Sequence, residues 1–183
     1  MQGVLYTGRP ADETGRLAKE LRCYDLLDGL GVAYQRTDHL PTDSMDCCRE
    51  VDKILGVTIY KNLFLCNRQK TAFYLLAMPG EKPFKTKELS GQLGISRLSF
   101  AGAQEMQQYL DITPGSVSVL GLANDTGGAV RLLLDEDLKA DEWFACHPCI
   151  NTSSVKFKTA DLLQTILPAI GHLPTWVRLT GEG

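Results

Sequence analysis

Three short segments carry side chains whose types and spacing could do chemistry. The first is Cys146-His147-Pro148-Cys149, which has the Cys-x-x-Cys spacing of redox and zinc sites. A redox site of that kind needs a helix starting at the motif, so that its dipole lowers the thiol pKa. Here Ile150 to Phe157 follows and reads as turn and strand. A structural zinc site needs four ligands, and His39 and His172 stand isolated in the chain. The motif therefore reads as a histidine and two thiols packed in a turn, and neither a metal nor a cofactor is expected.

The second segment is Lys61-Asn62 at the mouth of a strongly apolar run. A charge there is either the chain leaving the core or an ammonium at a cleft edge, able to hold a phosphate or a developing oxyanion. The third is Pro114-Gly115-Ser116-Val117-Ser118 with the later Asn124-Asp125. Glycines let backbone amides approach a ligand, and such amides can bind a carbonyl or oxyanion; the alternative is an ordinary loop entering a strand. Phosphate-loop, Gly-x-Gly-x-x-Gly, Gly-x-Ser-x-Gly and His-Glu-x-x-His patterns do not occur.

The elements that must position these residues follow from periodicity. Arg16 to Leu30 carries the apolar stripe Leu17, Leu21, Tyr24, Leu27 and Leu30 and predicts a helix ending at Gly31. Ser44 to Leu55 predicts a second, stopped at Gly56, with Lys85 to Leu93 and Ala103 to Leu110 two more. Thr159 is expected to cap a last helix running to Ile166-Leu167. Strands are expected at Val32–Asp38, Lys61–Cys66, Thr71–Ala77, Ala129–Asp135, Trp143–Ala145, Ser153–Phe157 and Trp176–Leu179. The second and third of these are nearly continuous apolar runs, which suits strands buried on both faces. Interleaved helices and strands indicate an α/β fold, with a mixed β-sheet covered by helices, over a single domain of residues 1–183.

Composition bounds the rest. The 183 residues, 44% hydrophobic and 22% charged, are those of an ordinary globular chain. No run reaches the ~18 apolar residues of a membrane span, and the first residues lack a basic head before an apolar stretch. A cytoplasmic protein without membrane contact, with its six cysteines reduced, is expected. No heptad demands a dimer, so a monomer is expected. The net charge of −3 conceals a basic block, in which residues 61–100 hold seven basic against two acidic groups. Lys61, Arg68, Lys70, Lys82, Lys85, Lys87 and Arg97 are either a solvated face or candidates for phosphate contacts.

Taken in order, Lys61-Asn62-Leu63-Phe64-Leu65, Pro114-Gly115-Ser116-Val117-Ser118, Asn124-Asp125, Leu134-Asp135, His147-Pro148-x-x-Asn151-Thr152 and Gly171-His172-x-Pro174 resemble the YbaK/ProX family of aminoacyl-tRNA editing domains. The resemblance spans about residues 15 to 180 and is greatest to the free-standing, alanine-specific prolyl-tRNA editing branch, also called PrdX-like. It implies hydrolysis of alanine mis-attached to proline tRNA, acting in trans at the acceptor end, with prolyl-tRNA synthetase as a further partner. It also implies Lys61, Gly115 and Ser116 as catalytic positions and Asn62, Asn124 and His147 as substrate-binding ones. Many members carry Gly-x-x-x-Pro in the glycine loop, whereas Val119 stands four places after Gly115 here.

The implied chemistry needs no covalent nucleophile. Amides near Gly115 and Ser116 would polarise the ester carbonyl, Lys61 would hold phosphate or developing charge, and the vicinal ribose hydroxyl would assist proton transfer. Selectivity for alanine over proline must come from exclusion, since attraction alone discriminates a methylene by only ~1–3 kcal/mol. Two other readings stand beside it: a deacylase for cysteine on proline tRNA, and a non-catalytic module that binds tRNA or a synthetase.

Overall fold

The computed structural model describes residues 3–182. Among these residues nine strands and the helices between them form the expected α/β architecture, but the strands divide between two sheets. One is antiparallel, in the order β1 (Tyr6–Thr7), β2 (Tyr34–Asp38), β8 (Ser153–Lys158), β7 (Trp143–Cys146). The other is mixed, in the order β5 (Ser99–Phe100), β3 (Lys61–Cys66), β4 (Phe73–Met78), β6 (Val130–Asp135), β9 (Thr175–Val177). β3 and β4 form an antiparallel hairpin, while β4–β6 and β6–β9 run parallel. The Tyr60 amide donates to the Ala145 carbonyl at 3.1 Å, so β3 begins against β7 and the two sheets meet there.

β4 is buried along its whole length, as its unbroken apolar sequence requires. Its alternate residues serve two cores. Phe73, Leu75 and Ala77 join Phe64, Leu132, Phe144 and Phe157 in the larger one. Tyr74, Leu76 and Met78 face Leu89 and Leu98, under helix α3 (Thr86–Leu93). Helix α1 (Ala18–Gly29) adds Tyr24 and Leu27 to the larger core, and α4 (Ala103–Leu110) closes over it with Leu110.

Helix α2 (Met45–Leu55) starts where Ser44 Oγ accepts the Cys47 amide and ends at Gly56, in a left-handed conformation with φ 71°. It buries Val51 and Leu55 beside Ala145 of β7. Downstream, the glycine loop leads into a 3-10 helix (Val119–Asn124), not directly into a strand. The chain after β8 departs from expectation. β8 runs straight into α5 (Thr159–Asp161), a π-helical turn (Leu162–Ile166) and α6 (Leu167–Ala169). Thr159 is the first helical residue and not the cap. Its buried hydroxyl has no partner among the described residues, because the strand enters the helix without an intervening capping position.

Candidate active site

The start of β3, the α2 helix, the glycine loop and the β7–β8 connection surround one cavity of about 750 Å³. Lys61, Asn62, Gly115 and His147, far apart in sequence, all line it. Ser116 and Asn124 do not. Ser116 is buried, and its amide donates to the Thr113 carbonyl at 3.1 Å. Asn124 ends the 3-10 helix and donates from its amide to the Leu110 carbonyl at 2.9 Å, tying that helix to α4.

Lys61 opens β3, half-buried, and its ammonium donates to the Lys82 carbonyl. It has no carboxylate partner among the described residues, and burial pushes its pKa down from the ordinary 10.5. The carbonyl it touches is held in place from behind. The Lys82 ammonium is paired with Asp135 at 2.8 Å and Asp137 at 2.7 Å, and it donates to the Leu179 carbonyl at 2.6 Å. Lys82 thus fastens its own loop to the end of β6 and is not free for phosphate. Lys70 is also paired, with Glu105 at 2.9 Å, so the basic block of the sequence is partly neutralised in space.

Asn62 lies in the cavity wall with its amide engaged by protein. Its Nδ2 donates to the Tyr60 carbonyl at 3.0 Å, and its Oδ1 accepts the Val119 amide at 2.9 Å. It therefore fixes the end of the glycine loop to β3. Val119, at the place where many related loops have proline, supplies an N–H that proline lacks. Within the loop Gly115 has φ +89°, a conformation that favours glycine. The Gly115 and Val117 amides make no hydrogen bond to protein among the described residues, and both residues line the cavity. The amides available to a carbonyl oxygen are thus those of Gly115 and Val117, because that of Ser116 closes the turn.

His147 follows β7 and is half-buried. Its Nδ1 lies 2.9 Å from the Ser153 carbonyl and 3.2 Å from Ser154 Oγ. Burial lowers its pKa, with His39 acting in the same direction, so the ring is neutral at neutral pH. The strand that carries Ser153 is locked to β2 by register, Asp38 opposite Ser153, and by a cluster on Asp38. Burial pushes the Asp38 carboxyl up, but Arg16 at 2.8 Å, Arg36 and Ser153 outweigh it and hold it well below the usual carboxylate range.

The neighbouring thiols are structural. Burial pushes Cys146 up to about 12, and Cys149 lies 3.5 Å from the buried Cys23, sulfur to sulfur. The raised Cys146 is the opposite of a reactive low-pKa thiol, and neither Cys146 nor Cys149 stands at a helix start. Among the described residues no three His, Cys, Asp or Glu side chains converge to hold a metal ion. Among the described residues no helix is long and apolar enough to cross a membrane.

The α2 face of the cavity, with Cys48, Arg49 and Asp52, escaped the sequence reading. Its signal was present: 48 and 52 share one helical face, offset from the core pair Val51 and Leu55. Asp52 is raised by burial while its Oδ1 accepts the Ile59 amide at 2.9 Å, which ties α2 to the residues just before Lys61.

Residues 41–165 match the family described as aminoacyl-tRNA editing domain, and the chain belongs to that family, as an aminoacyl-tRNA deacylase. Among curated proteins it is 31% identical over 146 residues to the prolyl-tRNA editing protein ProX of Acetoanaerobium sticklandii, covering 80% of this chain and 88% of that one. It is 32% identical over 126 residues to the prolyl-tRNA synthetase associated domain-containing protein 1 of Danio rerio, covering 68% and 67%. A crystal structure assigned as a candidate trans-editing enzyme for prolyl tRNA synthetase shares the fold, with TM-score 0.63 at 16% identity over 90% of this chain and 99% of that one.

Proposed function

We propose that this chain hydrolyses the ester of alanine mischarged onto proline tRNA, acting in trans in the cytoplasm on the acceptor end. The observation that carries the reading is the convergence on one cavity of the Lys61 ammonium with the amides of Gly115 and Val117, the former without a carboxylate partner and the latter without a protein acceptor among the described residues. Its volume, about 750 Å³, suits an aminoacylated terminal nucleoside, given that small-molecule sites run from roughly 300 to 1,000 Å³. The ProX relative is a prolyl-tRNA editing protein, which supports proline tRNA as the carrier.

An aminoacyl ester is already activated, so positioning and charge stabilisation suffice. The Gly115 and Val117 amides polarise the carbonyl and hold the oxyanion as water adds, each donor being worth roughly 3 kcal/mol in comparable sites. Lys61 stabilises the developing negative charge or the adjoining phosphate. The vicinal ribose hydroxyl assists proton transfer to the leaving oxygen. Neutral His147 offers a hydrogen-bond acceptor to the substrate and is not assigned the role of base.

The test is deacylation of proline tRNA charged separately with alanine, cysteine and proline. Rapid loss of alanine with retention of proline is expected. Preferential loss of cysteine would transfer the assignment to a cysteine deacylase, and tRNA binding without turnover of any ester would leave a binding module.

A further inference from the structure

His147 does not stand alone. Ser154, buried in β8, lies with its hydroxyl between two imidazoles: His39 Nε2 is at 2.8 Å and His147 Nδ1 at 3.2 Å. The rings themselves are 6.0 Å apart, centroid to centroid. His39 is fixed at the end of β2, where its amide donates to the Thr152 carbonyl at 2.9 Å. Its Nδ1 lies 2.7 Å from the Leu40 carbonyl.

Hydrogen-bond accounting sets the direction of this chain. A carbonyl only accepts, so the proton at His39 Nδ1 belongs to the contact with Leu40, and neutral His39 presents a lone pair at Nε2. Ser154 has one proton and directs it to that lone pair. Only oxygen lone pairs of Ser154 then remain for His147, and the Ser153 carbonyl at 2.9 Å likewise accepts only. Both neighbours of His147 Nδ1 require it to carry hydrogen. Nε2, the ring nitrogen with no protein partner among the described residues, is left as a lone pair on the side chain that lines the cavity.

We infer that His39 is a positioning residue for the editing site: through the Ser154 hydroxyl it holds His147 in the Nδ1–H tautomer, so that Nε2 serves as an acceptor for donors of the aminoacyl-adenosine end. This rests on the function proposed above for the cavity. Without His39 the Ser154 proton is released. It can then turn to His147 Nδ1 and stabilise the opposite tautomer, whose Nε2–H cannot accept.

The experiment is nitrogen-15 NMR of the histidine rings in the full chain, paired with deacylation kinetics, for wild type, His39→Leu, His39→Gln and the double variant His39→Leu with Ser154→Ala. Wild type is expected to show His147 protonated at Nδ1 only. His39→Leu should show both tautomers in comparable amounts, with kcat lower by about twofold, the share lost to the Nε2–H form, and KM little changed. His39→Gln, whose amide oxygen can accept from Ser154, should restore the single tautomer. So should the double variant, which has no hydroxyl left to compete for Nδ1, and a merely structural role for His39 does not predict that recovery. A single Nδ1–H tautomer and wild-type kcat in His39→Leu would overturn the inference, as would mixed tautomers in the double variant. The ring spectra are read on free protein, so absence of deacylation in wild type would sink the proposed function without touching the tautomer result.

Discussion

The side-chain oxygen of Asn62 accepts the backbone amide of Val119 at 2.9 Å, joining the start of β3 to the end of the glycine loop. Lys61 stands one residue before this bond and Gly115 four before its donor. The ammonium and the open amides are therefore held at a fixed separation by one side chain. Asn62→Ala leaves a buried N–H without a partner and should cost about 1–3 kcal/mol. Urea denaturation should show that loss, and kcat for deacylation should fall in the fraction that remains folded. Asn62→Asp keeps an acceptor and should retain more of both.

The same bond explains what Val119 contributes. Val119→Pro removes the donor, so restoring the proline common in related loops should weaken this protein. A lower melting temperature and a slower alanine-tRNA reaction are expected, and unchanged behaviour in both would show that the loop is held by its other contacts.

How much of this was legible in the sequence follows from the kind of constraint involved. The β3–β4 hairpin and α4 were readable because apolar runs and 3.6-residue stripes answer to burial, which is local in pattern. The cavity members Lys61, Gly115 and His147 could be singled out one by one from residue type, but only the ordered motif set joined them, since residues far apart in the chain meet through sheet register. Less legible were the places where a group finds its partner through space. Ser116 offered a plausible amide until the turn to Thr113 closed it, and Asn124 reached α4 instead of the cavity. Nothing local marks Asp38 as the clamp on Ser153, and Thr159 had the type of a cap without its position.

A pH profile separates Lys61 from His147, two of the ionisable groups lining the cavity. Burial lowers Lys61 from its ordinary 10.5, so its positive charge is lost at a lower pH than that of a free lysine. The enzymic rate, corrected for spontaneous ester hydrolysis, should fall on an alkaline limb lying below 10.5. Burial also lowers His147 from 6.5, so the neutral ring persists into mild acid and the acid limb should lie below 6.5. Because the folded state disfavours protonation of His147, its contribution to stability is present above 6.5 and shrinks as pH falls through that value. Lys61→Arg should move the alkaline limb upward if charge is what counts.

His172 marks a structural histidine for contrast. Its Nε2 lies 2.9 Å from Asp125 Oδ2, and the same buried carboxylate receives the amides of Ala129 at 3.0 Å and Val130 at 2.8 Å. His172→Ala removes one of three partners from that buried carboxylate and should destabilise by about 1–3 kcal/mol. Turnover per folded molecule should stay at the wild-type level, because His172 does not line the cavity.

The most direct test concerns Lys61, whose ammonium is held by the Lys82 carbonyl at the cavity edge without an acidic partner among the described residues. With enzyme in excess over alanine-charged proline tRNA, single-turnover loss of the ester should be compared between wild type and Lys61→Ala, with the fold of each checked by circular dichroism. A fall of about a hundredfold or more in a folded variant is expected for removal of a charge-stabilising group. A Lys61→Ala protein that is folded and cleaves the ester at close to the wild-type rate would contradict the account.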